Sequence, residues 1–173
     1  RSHREGGATV VELGDLVSGQ ELRLVLKVNF PFGQDGRDIA IRVALSDRDG
    51  VLAGGGPSPW TYPDRRPNHL QPRDTEVDRE VARLYAARVR KEAAQLNRAG
   101  RYAEANAAMQ GVARRISKYA GHDPELNALV AELGREQVQL SRPMAAMAIK
   151  EMHYRSSYIE RGRDVQGKAR KGV

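Results

Sequence analysis

The four histidines, His3, His69, His122 and His153, come first because imidazole serves as both metal ligand and general base. They are scattered over the terminus, a proline-rich stretch, an interhelical turn and the last helical segment. No pair has the His-x-x-x-His spacing that sets two ligands on one helical face, so no histidine metal site is expected. Asp74, Glu76, Asp78 and Glu80 cluster at the start of a helical pattern, where the helix dipole and capping favour acids without any catalytic purpose. Asp47-Arg48-Asp49-Gly50 has the acids of an oxygen-ligand calcium loop but neither its spacing nor its downstream glutamate, and reads as a turn. Gly54-Gly55-Gly56-Pro57 runs into further prolines instead of the helix whose amides would cradle a phosphate. Ser18 and Ser46 have no histidine placed to activate them and no Gly-x-Ser-x-Gly elbow around them. The absence of cysteine removes thiol nucleophiles, thiolate ligands and disulfides together, which fits a reducing compartment, and the cytoplasm is the expected location. The chain therefore reads as a protein without catalytic residues, metal or cofactor of its own.

What remains are residue types suited to binding. Trp60 and Tyr62 are aromatic anchors, and Met144, Met147 and Met152 form a group of the kind that adapts to a partner; core filling is the plainer role for each. Arg161, Arg163, Lys168, Arg170 and Lys171 form a basic tail able to touch phosphates. The formal charge is +7, and its distribution is uneven. Residues 1–74 carry ten cations and ten anions, residues 75–141 eleven and nine, and residues 142–173 eight and three. The excess belongs mainly to the tail, so nucleic-acid binding stands as the alternative reading and a protein partner or self-association as the first. No apolar run approaches the ~20 residues needed to span a bilayer, and the first residues lack the apolar region of a signal peptide; no membrane partner is expected.

The elements that must position these residues fall into two halves. Apolar residues alternate with polar ones in Glu21–Val28 and again in Asp38–Leu45, so both predict half-buried strands, joined as a hairpin through the Pro/Gly-punctuated stretch 30–36. Thr9–Leu13 is a third strand candidate. Residues 53–74 carry a density of glycine and proline that excludes a helix and leaves at most one short strand around Trp60. From Thr75 the period becomes helical. Val77, Val81, Leu84, Tyr85, Val89 and Leu96 predict one inward stripe, ended at Ala99-Gly100, and Tyr102 to Tyr119 a second helix. Asp123-Pro124 is an N-cap followed by a first-turn proline, opening a helix with Leu126, Leu129, Val130, Leu133 and Leu140 inward. Met144 to Tyr158 predicts a fourth. The resulting expectation is an α+β chain: an N-terminal antiparallel β-sandwich-like segment over 1–62, incomplete alone, a proline-rich linker over 63–74, a bundle of three to four helices over 75–158 and a basic flexible tail over 159–173.

Two resemblances sit on this frame. Leu96-Asn97-Arg98-Ala99-Gly100-Arg101-Tyr102-Ala103-Glu104-Ala105 resembles the turn between paired helices of a tetratricopeptide repeat, but no second copy follows at that period and no repeat array is expected. Leu13–Glu21, Trp60-Thr61-Tyr62 and Asp78–Arg88 are, in order and spacing, similar to the region C-terminal to the A domain in bacterial von Willebrand factor type A proteins. That resemblance implies a β-sandwich with a helical extension, supporting an A domain in the same polypeptide and binding a partner or a second copy. The family's Asp-x-Ser-x-Ser metal site is absent from this chain, so the divalent cation it implies would belong to the A domain and to no residue here. The chain is expected to be a piece of a longer protein, because three or four short strands with one apolar face each need a cover.

Overall fold

The computed structural model describes residues 2–34, 36–62, 72–164 and 166–169. The chain divides into two compact units, one formed by residues 1–25 with 75–173, the other by residues 26–74. Among the described residues it holds two two-stranded antiparallel sheets and four helices, a mixed α+β fold.

In the first unit a small hairpin pairs β1 (Ser2–Glu5) with β2 (Ala8–Val11) across Gly6-Gly7. The rest is helical: α1 (Thr75–Arg98), α2 (Tyr102–Ala120), α3 (Pro124–Leu140) and α4 (Ala146–Glu160). The end of α1 and the start of α3 each have a local cause. At the end of α1, Gly100 takes a φ of 75°, the Gly100 N–H donates to Asn97 O at 3.0 Å and the Arg101 N–H to Leu96 O at 2.9 Å, the paired bonds of a Schellman motif. At the start of α3, the Asp123 side chain accepts from the Leu126 N–H at 2.9 Å and Pro124 occupies the first turn, where its missing N–H costs nothing.

Packing follows a seven-residue beat. Leu126, Leu133 and Leu140 are buried on α3, Met109 and Ile116 on α2, Ile149 and Ser156 on α4, and Ala86 and Ala93 on α1. Residues seven apart return to nearly the same face of a helix. α1 is the hub, packing against α2, α3 and α4. Its inward stripe is made mainly of alanines, Ala82, Ala86 and Ala93; of the larger residues the periodicity suggested, Val89 is buried with them and Leu96 packs against the core, whereas Val77 is exposed and Val81, Leu84 and Tyr85 are only half-buried. A helix with neighbours on several sides buries small residues so that their backbones can approach.

The β half departs from expectation. Residues 21–28 form no strand; β3 (Asp38–Ser46) pairs instead with β4 (Ala53–Thr61), from Asp38 opposite Thr61 to Ser46 opposite Ala53. The expected hairpin of 21–28 with 38–45 is therefore corrected, and so is the short strand around Trp60, which is nine residues long. The Ser46–Gly50 turn supplies the reason: Asp47 Oδ1 accepts from the Leu52 N–H at 3.1 Å and brings the next segment back onto β3. Glycines make that segment pairable, since Gly55 has a φ of 121° and a side chain there would collide with the Val43 carbonyl. Pro57 and Pro59, two apart, fit one edge of a two-stranded sheet because both missing N–H groups then point away from the partner. The two small sheets make no closed sandwich. Residues 63–71 of the expected linker lie outside the described residues.

Replacing the fully buried Leu133 by alanine is expected to cost about 2–5 kcal/mol in chemical denaturation. Met147→Ala, at a site 74% exposed, should stay within about 0.5 kcal/mol. Equal costs at the two positions would contradict this packing.

Candidate interaction groove

α3 and α4 each pack on α1 and not on each other. The groove left between them has a volume of about 670 Å³ and is floored by α1. Its geometry begins with the arginines of α1. Arg79 reaches Asp123 at 2.9 Å and Glu125 at 2.8 Å, and Arg83 reaches Glu125 at 2.6 Å. Arg90 donates from Nε to Glu136 at 2.7 Å, while its Nη2 lies 3.1 Å from Glu132 without the alignment of a hydrogen bond. Asn97 ends the series. Its Nδ2 donates to the carbonyls of Leu140 at 3.0 Å and Arg142 at 2.8 Å, and its Oδ1 accepts from the Met144 N–H at 3.2 Å. Each side-chain partner stands 42 to 46 residues further along the chain, so α1 and α3 run parallel. Lys91 to Glu160, at 2.7 Å, ties the same central helix to α4.

Apolar atoms from Leu129, Met144, Met152 and Ile159 line the groove, and all four residues are half-buried. The end of α4 is held by the N-terminal segment: Gln20 Nε2 donates to Arg161 O at 3.0 Å, and a side chain at Gly162 would collide with Glu21 O. Beyond it the chain turns back, with Arg163 bridged to Ala169 and Asp164 Oδ1 accepting from the N–H groups of Gln166 and Lys168.

The residues singled out from sequence divide accordingly. Met144, Met152 and Arg163 meet at the groove, whereas Met147 is exposed and not among its lining residues. Arg161 and Lys168 are exposed, and Arg163 is half-buried, its Nη1 donating to Gly167 O at 3.1 Å. Arg170 and Lys171 lie outside the described residues. Trp60 and Tyr62 belong to the other unit, where Trp60 tilts against Phe30 with centroids 5.5 Å apart and the Tyr62 hydroxyl donates to Pro31 O at 2.6 Å. Sequence reasoning missed Arg79, Arg83, Arg90 and Asn97. Arg79, Arg83 and Arg90 step by 4 and 7 residues and Glu125, Glu132 and Glu136 by 7 and 4, so spacing alone does not pair them. Among the described residues no group of three or more histidines, aspartates or glutamates converges as a metal site, and no helix is long and apolar enough to cross a membrane.

The Leu126 N–H, reinforced by the Arg79 guanidinium, holds the Asp123 carboxyl below its ordinary range. A lowered carboxylate pKa stabilises the fold above the unfolded value of about 3.9 and ceases to do so as pH falls through the lower folded value. Stability measured from about pH 5 down to pH 2 should therefore fall less steeply in Asp123→Asn than in the native chain, since asparagine keeps a cap but cannot titrate. Identical slopes would remove Asp123 from the acid response.

Comparison of the chain with protein-family models, with curated proteins and with solved structures finds no match.

Proposed function

We propose that this chain is a non-catalytic protein-interaction module of a larger polypeptide, in which the four helices present the α3/α4 groove to a partner and the β elements support a neighbouring domain. The groove carries the reading. It is lined with apolar atoms and walled by two helices that are fixed to a common third one, which is what a binding surface needs. The resemblance to the region following a von Willebrand factor type A domain suggests which neighbour is supported. A cation of that domain would be held by its own residues.

The sandwich-like expectation belongs to the same proposal. Val43, Leu45 and Trp60 on the β3–β4 sheet are about half-exposed, as are Leu24, Leu26 and Val28. Apolar residues of strand periodicity left open to water favour further strands from outside. Pro57 and Pro59 blunt β4, so such strands would add along β3. The basic excess of residues 142–173 supports the second reading, a phosphate-binding tail.

Joined to the polypeptide that precedes it, the chain should raise the melting temperature of that neighbour by about 2–4 °C for each kcal/mol of contact, and the neighbour should contain Asp-x-Ser-x-Ser. An unchanged melt would contradict the supporting role. Retention of the chain on DNA falling steeply with salt would favour the tail instead.

A further inference from the structure

The charges lining the groove are not balanced. Arg79, Arg83 and Arg90 are already engaged by the acids of α3 and its cap, at distances of 2.6 to 3.1 Å. Arg135 on α3, Arg155 on α4 and Arg163 just beyond it also line the groove, and among the described residues none of the three has a carboxylate partner. Arg163 in addition keeps its Nε buried without a hydrogen-bond acceptor. Against these three cations stands one lining acid without a cation partner among the described residues, Glu151. Both walls thus bring unanswered positive charge to a lining that also holds Leu129, Met144, Met152 and Ile159.

The slot runs along α4 and is open to solvent on its outer side. α4, with 15 residues, is about 22 Å long at 1.5 Å per residue, so the groove beside it accommodates about four turns. Two helices on a common floor, with an open position between them, take an amphipathic helix whose apolar stripe enters the groove. A second copy of this chain is the poorer occupant, because a molecule of charge +7 would bring its own net positive charge to a groove already in cationic excess. Methionine in the lining suits such a partner, since its flexible thioether adapts to whatever side chain is presented.

We propose that the α3/α4 groove binds an amphipathic helix of a partner protein in which an apolar stripe is flanked by acidic residues, facing Arg135, Arg155 and Arg163. This rests on the interaction-module reading above and names its partner's chemistry.

The test is fluorescence anisotropy with two labelled model peptides of about 18 residues, identical in their leucine stripe at i, i+3, i+4 and i+7. One is flanked by glutamate, the other by lysine. The glutamate peptide should bind the full chain at low salt, at least about tenfold more tightly than the lysine peptide. Arg135→Glu with Arg155→Glu, both at exposed positions and so compatible with an unchanged circular-dichroism melt, should cut that affinity about tenfold or more. Equal binding of the two peptides, or none at low salt, would overturn the proposal. So would sedimentation equilibrium showing a dimer that the same double variant dissolves, since a second copy would then fill the groove. If the peptides fail while the chain still raises the melt of its preceding neighbour, only the acidic-helix partner is lost; failure of both removes the interaction-module reading as well.

Discussion

The carboxamide of Asn97, 3% exposed at the end of α1, answers three backbone groups of the connection between α3 and α4: the carbonyls of Leu140 and Arg142 and the N–H of Met144. Without it, two carbonyls and an amide at that crossing would have to find water inside the packed end of the bundle, and each unanswered group would cost about 1–3 kcal/mol. No apolar residue could make these bonds, and aspartate, lacking the N–H₂, could not donate to two carbonyls. This one side chain therefore ties the connection between α3 and α4 to the end of α1, at the foot of the groove.

The charged ladder between α1 and α3 has a different weight. Pairs as exposed as Arg83 with Glu125 contribute roughly 0–1 kcal/mol each, so they cannot be what holds the helices together. The fully buried Leu133 and Leu140 do that, at several kcal/mol each when truncated. What the ladder supplies is direction: arginines on α1 find acids 42 to 46 residues further along, which fits α3 running parallel to α1, but that spread is about one turn and does not fix the register to the residue. Arg90 is the exception in energy, because its guanidinium is buried and removal of Glu136 would leave it with a poorly aligned partner.

The helices were legible in the sequence because their signals are local. Ala99-Gly100 and Asp123-Pro124 stop and start helices through bonds made within a few residues, and the predicted boundaries stand within about two residues of those observed. The sheet was not legible because strand pairing is decided by competition. Glu21–Val28 has the better alternation, yet Ala53–Thr61 returns through the shorter connection and carries glycine where β3's carbonyl comes close. Met144 and Met152 could be named from composition as partner-facing, but the ladder that aligns one wall of their groove is a relation between helices, visible only when α1 and α3 are known to be parallel. Asn97 carries no local signal either, because its three bonds reach backbone groups 43, 45 and 47 residues away.

Hydrogen exchange of Asn97→Ala, followed helix by helix, tests most directly the claim that this amide fixes α4 against the rest. The account predicts that amides of Ala146–Glu160 lose protection while those around Met109, Ile116 and Leu133 keep theirs, since the heptad core is untouched. Protection in α4 equal to that of the native chain, or lost equally in all four helices, would contradict it.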